Sequence, residues 1–262
     1  MNWFFIPLVT FASILFSNVG FAFETVNPVE EMRENINALG SGTSFAFVDI
    51  GLTEEELALA DRLKFDNLGA ETTKQYDRFG NLHLIIDELP KFLREIGNDD
   101  EEVIQAVTAI ISRTAYNVTE ASNKASAWVC VRASTPNHQF DMPRWHTDGM
   151  YYGLDSSKPY PEIVFKFGAV LKGPPTLLYP LPDAMRETFY ANEDDRQFLS
   201  ELLDLRLAQS PEKGQGVLFI VADNTMGGVH SEPKMDENRL FFSILVGDQI
   251  EIDELNSRWH PQ

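Results

Sequence analysis

Between Pro28 and about Ser122, apolar residues recur at helical spacing in four segments, VEEMRENINAL, TEEELALADRL, DELPKFLREI and DDEEVIQAVTAIISRTAYNV. Thr53 opens the second and Asp99–Asp100 the fourth, and acidic residues follow in the first turn, as helix starts favour. Two short runs between them, SFAFVDI and NLHLIID, read as strands. From Ser126 the texture changes to AWVCVRAS, EIVFKFGAVL, TLLYPL, GVLFIVA and RLFFSILVGD, broken by Pro, Gly and Asn, which reads as a set of β-strands. A helical stretch, DAMRETFYANEDDRQFLSELLDL, interrupts this half near residues 182–205. The pattern predicts an α+β chain with a jelly-roll core: a mainly helical region over 23–125 packed on a β core over 126–262.

Ahead of these elements, residues 1–22 carry no charged side chain, are mostly apolar and end on small residues before Glu24. They read as a secretory signal peptide, with a retained membrane anchor as the alternative, so the expected location is the secretory pathway, the periplasm or outside the cell. The single cysteine, Cys130, excludes an internal disulfide, and its setting in AWVCVRA makes it a small core residue. Asn117-Val118-Thr119 matches the acceptor pattern for N-glycosylation. The formal charge of −19 repels phosphate backbones, which points away from nucleic acid and toward a small-molecule or protein substrate.

Chemistry concentrates in the β half. In Trp145-His146-Thr147-Asp148-Gly149, a His and an Asp stand two residues apart, a spacing that on an extended segment turns both side chains to one face. Downstream, GVLFIVADNTMGGVHSEP delivers His230 after a Gly-rich turn, and nine residues later Arg239 opens the strand RLFFSILV. Two imidazoles and a carboxylate on one side of a metal leave the opposite positions open, as mononuclear Fe(II) oxygen chemistry requires. Taken singly, each part has an ordinary reading: His146 a surface residue, Asp148-Gly149 a turn, His230 a loop histidine, and Arg239 a strand-edge charge paired with Glu237 or Asp236. Order and spacing together favour the metal. His83, His138 and His260 lack that context, and one Cys is too few for a structural zinc site. Ser231 beside His230 is not a nucleophile pair, because neighbours on a strand face opposite ways.

The series HTD, PPT, distal His and following Arg resembles the Fe(II)/2-oxoglutarate-dependent dioxygenase superfamily, over roughly residues 126–248. The resemblance implies a cupin-like double-stranded β-helix in which His146, Asp148 and His230 bind Fe(II). It further implies that Arg239 grips the far carboxylate of the co-substrate 2-oxoglutarate, and that Thr176 in Lys172-Gly173-Pro174-Pro175-Thr176 helps to hold it. The implied activity is oxidative decarboxylation of 2-oxoglutarate coupled to substrate hydroxylation. Trp145, Tyr151, Tyr152, Trp128 and Phe140 are candidate walls near the metal. Two other readings stay open: a non-catalytic cupin-like protein that binds a metal or an organic acid, and an iron oxygenase that does not use 2-oxoglutarate.

Overall fold

The computed structural model describes residues 27–69, 71–149, 164–221 and 226–259. The N-terminal segment read as a signal peptide or anchor, together with Tyr151, Tyr152 and His260, lies outside them. No described helix is long and apolar enough to cross a membrane.

Four helices form the first layer: α1 (Pro28–Ala38), α2 (Glu54–Asp61), α3 (Ile85–Glu95) and α4 (Glu101–Ala121). Their starts are fixed locally. The Thr53 hydroxyl accepts the Glu56 backbone N–H while the Glu56 carboxylate accepts that of Thr53, a reciprocal cap, and the Asp100 carboxylate caps α4 by accepting from Glu102 N. α4 buries Val103, Ile104, Val107, Ile110, Ile111, Ala115 and Val118 along one stripe, against the other three helices and the sheet. The glycosylation pattern falls in the body of this helix. Thr119 is buried there, its hydroxyl donating to the carbonyls of Ala115 and Tyr116.

The main sheet has six antiparallel strands in the order β1-β6-β4-β8-β3-β2: β1 (Phe45–Asp49), β6 (Gln215–Val221), β4 (Val164–Lys172), β8 (Arg239–Gly247), β3 (Ser126–Ser134) and β2 (Thr73–Phe79). Both edge strands come from the N-terminal region. A second sheet pairs β5 (Leu177–Tyr179) with β7 (Val229–Ser231), and single bridges Asn137–Met235, His146–His230 and Leu178–Gln209 continue it. The architecture is thus mixed helix and antiparallel sheet, as predicted, with strands paired in sheets of six and two among the described residues. The inserted helical stretch is broken into α5 (Asp183–Tyr190) and α6 (Arg196–Leu202), with Asp195 capping the second, and α7 (Gln249–Trp259) follows β8.

Alternation divides the main sheet. One face, including Val129, Val131, Phe167, Leu218, Phe242 and Ile244, packs on the helices. The other, with Trp128, Cys130, Val217, Phe219 and Leu245, turns toward the second sheet. The segment NLHLIID is not a strand: Asn81 takes a left-handed conformation (φ 41°) and Leu82–Leu84 form a 3-10 turn that runs into α3. Two close approaches demand glycine. A Cβ on Gly216 would stand 2.2 Å from Phe167 Cζ, and one on Gly173, at φ +90°, would stand 2.3 Å from Asn238 O. Phe167 is wholly buried at this contact between sheet and helices, so Phe167→Ala is expected to lower unfolding stability by about 3–5 kcal/mol, read from denaturant midpoints at unchanged slope.

Candidate metal centre

Three ligand atoms, one each from His146, Asp148 and His230, lie within 4.8 Å of one another. The backbone brings them together. His146 and His230 face each other as an antiparallel bridge, each N–H bonded to the other's carbonyl at 2.9 Å, so their rings lie 4.3 Å apart between centroids. Asp148, two residues on, turns its Oδ1 to 4.0 Å from His146 Nε2 and 3.6 Å from His230 Nε2.

Both imidazoles are fixed in the tautomer a metal needs. Nδ1 of His146 donates to Arg144 O (2.7 Å) and Nδ1 of His230 to Gly228 O (2.9 Å). Each Nε2 therefore presents a lone pair toward the carboxylate. Burial, reinforced by the neighbouring His230, pushes the His146 pKa down from 6.5 to about 4, so its neutral form persists well into acid. The folded value lies below the unfolded one. His146 therefore contributes stability above about pH 6.5, lost as pH falls toward 4, and a denaturation series on metal-free protein should show that decline, weakened in His146→Gln.

Asp148 is held in its charged form. Burial alone would raise its pKa, but Lys166 on β4, with Nζ 3.0 Å from Oδ2, and the two histidines hold it well below the carboxylate range. Oδ2 is thus occupied by Lys166 and Oδ1 is left for a metal. Phe219 packs on His230 with ring centroids 4.7 Å apart. Two imidazole nitrogens and one ionised carboxylate oxygen make a 2-His-1-carboxylate set, the donor chemistry of non-haem Fe(II) sites.

A cavity of about 230 Å³ contains all three residues together with Arg239, at the start of β8, and Thr176, in the turn between β4 and β5. Arg239 is buried at 4% exposure; its Nε donates to Pro174 O (2.9 Å) and its Nη2 to Thr176 Oγ1 (2.8 Å). Burial pulls its pKa down to about 10, which still leaves it charged at neutral pH. Neither Glu237 nor Asp236 pairs with it: among the described residues no carboxylate lies within 4.0 Å of Arg239, and Asp236 takes Lys234 instead. Gly173 is what lets the PPT turn approach, because a Cβ there would also press on Arg239 Cα at 2.9 Å.

The residues singled out in the sequence, His146, Asp148, His230, Arg239 and Thr176, thus share one cavity. Of the proposed walls, Trp128 lines it, Phe140 lines an adjoining hollow, and Trp145 is instead core, edge-on to Tyr179 at 5.5 Å. Cys130 also lines the cavity, its thiol pushed up to about 12 by burial and so protonated. Ser231 is structural: its hydroxyl accepts from Arg144 N and donates to Glu232 O. His83 bonds Tyr116 and His138 bonds Asp141, both away from the site. Sequence reasoning missed Lys166, whose signal was a lone charge inside the apolar run EIVFKFGAVL, and missed Arg132, Arg144 and Glu232, which had none.

No protein-family profile matches the sequence, and no curated protein matches it. Among solved structures, the chain is similar to a dioxygenase for auxin oxidation from rice, at 11% identity over 83% of this chain and 78% of that one, with a TM-score of 0.41. It is similar to the corresponding Arabidopsis thaliana protein in complex with 2-oxoglutarate, at 8% identity over 84% and 87%, TM-score 0.42. A third, HygX from Streptomyces hygroscopicus with nickel and 2-oxoglutarate bound, shares 16% identity over 82% and 87%, TM-score 0.40. Likeness at this level is a matter of chain trace, and the functional reading rests on the side chains themselves.

Proposed function

We propose that this protein is an Fe(II)- and 2-oxoglutarate-dependent oxygenase, acting as a hydroxylase, with the two sheets forming a double-stranded β-helix around the site. The observation that carries the reading is the shared cavity: three converging donors with both histidine tautomers fixed, and a buried guanidinium with no carboxylate partner among the described residues. A buried cation left unneutralised is costly, and an incoming carboxylate offsets that cost.

The donor set fits Fe(II), which His146 Nε2, Asp148 Oδ1 and His230 Nε2 would hold. Bound iron supplies redox chemistry, coupling oxidation of 2-oxoglutarate by O2 to oxidation of a substrate C–H bond. The chain contributes the rest. Arg239 offers its guanidinium, steadied by Pro174 O, to the far carboxylate of 2-oxoglutarate, and Thr176 supplies a hydroxyl beside it. Lys166 occupies Asp148 Oδ2, keeping the carboxylate ionised and in place. Phe219 covers one side of His230 and helps keep water out.

Anaerobic titration of the full chain with Fe(II) and then 2-oxoglutarate tests this reading. A weak visible charge-transfer band is expected on adding 2-oxoglutarate, and it should be lost in Arg239→Gln. Iron binding without the band would favour an oxygenase that does not use 2-oxoglutarate or a metal-holding cupin-like protein, and absence of iron binding would overturn the assignment altogether.

A further inference from the structure

The cavity holds more positive charge than an iron site with one anionic co-substrate requires. Four cationic side chains line it, against two carboxylates. Arg144 is paired with Glu232 at 2.9 Å and Lys166 with Asp148 at 3.0 Å. Arg239 and Arg132 are left without a carboxylate within 4.0 Å among the described residues, and the hydrogen bond seen for Arg132 is a long one, 3.3 Å, to Gln75 Oε1. In a chain of 40 acidic and 21 basic residues, this local excess is not a consequence of composition. Beside the burial that lowers its pKa, Arg239 feels the attraction of the Glu232 carboxylate and, more weakly, the repulsion of Arg132.

The two guanidiniums occupy different lanes of the sheet. Arg239 and Thr176 meet where β8 approaches the turn after β4. Arg132 sits one strand farther, on β3, in register with Phe241 of β8, whose ring lies under the Arg239 guanidinium at 4.8 Å. Arg132 also opens on the adjoining hollow with Thr73, Gln75 and Ser134. On the same face of β3, four residues back and so about 13 Å away, stands Trp128. Its indole packs 5.6 Å from that of Trp259 at the end of α7, which lines the cavity although it is 58% exposed. β3 therefore offers a guanidinium at one end and, at the other, a tilted pair of indoles, with Lys166 Nζ 5.8 Å from the Trp128 ring.

On the oxygenase reading above, we propose that the substrate oxidised here is a small organic acid. Its anionic group binds Arg132 and its apolar or aromatic body lies on Trp128 and Trp259. The co-substrate takes Arg239, and the second anion relieves the remaining guanidinium. A charge-assisted pair to Arg132 also discriminates sharply between an acid and its neutral amide, whereas the tryptophan wall binds both.

Calorimetry on the full chain, loaded anaerobically with Fe(II) and 2-oxoglutarate, tests this with 3-phenylpropanoate and octanoate against their amides. Each acid is expected to bind roughly tenfold or more tightly than its amide. Arg132→Gln should erase that preference, Arg132→Lys should keep part of it, and Trp259→Ala should weaken acid and amide alike. Arg132→Gln should change 2-oxoglutarate affinity far less than Arg239→Gln does. No preference for the acids in the wild-type chain, or no binding of either acid, overturns the proposal. So does loss of 2-oxoglutarate binding in Arg132→Gln as severe as in Arg239→Gln, which would assign Arg132 to the co-substrate. If 2-oxoglutarate itself fails to bind while the acid preference and its loss in Arg132→Gln persist, the oxygenase reading fails and the anion site stands.

Discussion

His230→Ala is expected to weaken Fe(II) binding by more than about a hundredfold while the fold survives, because a ligand contributes at least as much as the groups that orient it. His230 is bonded to His146 through the backbone, so the bridge that positions the remaining two donors does not depend on its ring. Asp148 calls for a different choice of variant. Asp148→Ala would remove both the charge and the oxygen that Lys166 meets at 3.0 Å, and breaking a buried pair costs roughly 3–5 kcal/mol, which would confuse misfolding with lost metal. Asp148→Asn also removes the charge, but it keeps the shape of the side chain and an oxygen to which Lys166 can still donate, so its cost to folding is smaller. It should fold, shown by an unchanged thermal transition within a few degrees, and bind iron far more weakly, shown by metal content after gel filtration. Wild-type iron stoichiometry in both His230→Ala and Asp148→Asn would remove the metal centre from consideration.

Arg239→Met should separate stability from function. The wild-type guanidinium is buried with two hydrogen bonds and no carboxylate within 4.0 Å among the described residues, an arrangement that costs folding energy before any ligand arrives. An apolar side chain of similar length removes that cost, so the metal-free variant is expected to be more stable than wild type by about 1 kcal/mol or more, seen as a raised denaturation midpoint. The same change deletes the charge-assisted hydrogen bonds offered to the co-substrate. Its apparent affinity for 2-oxoglutarate should drop by at least about a hundredfold while iron binding changes little. A destabilised variant with unaltered 2-oxoglutarate affinity would make Arg239 a structural charge.

Much of the secondary structure was legible because local chemistry declares it. Thr53 and Asp100 announce their helices through side chains that cap the adjacent N–H groups, and β3, β4, β6 and β8 read as apolar runs because both their faces are covered. The failures are equally local. In NLHLIID the alternation of buried Leu82, exposed His83 and half-buried Leu84 is too short to separate a strand from the entry to a helix. β2, TKQYDRF, escaped notice because it is a polar edge strand, and α7 because only Ile252 and Leu255 are buried in it.

The site divides along the same line. His146, Asp148, His230 and Arg239 could be named from order and spacing, since a period of two on an extended segment decides which side chains share a face. That the two histidines are bridged backbone to backbone and that Lys166 takes one oxygen of Asp148 depend on pairings across 84 and 18 residues of chain. No local pattern encodes these. The excess of cations around Arg132 is likewise invisible in a chain of net charge −19. Charge along a sequence is an average over the surface, whereas the field in a cavity is set by the few groups that folding brings within ångströms of one another.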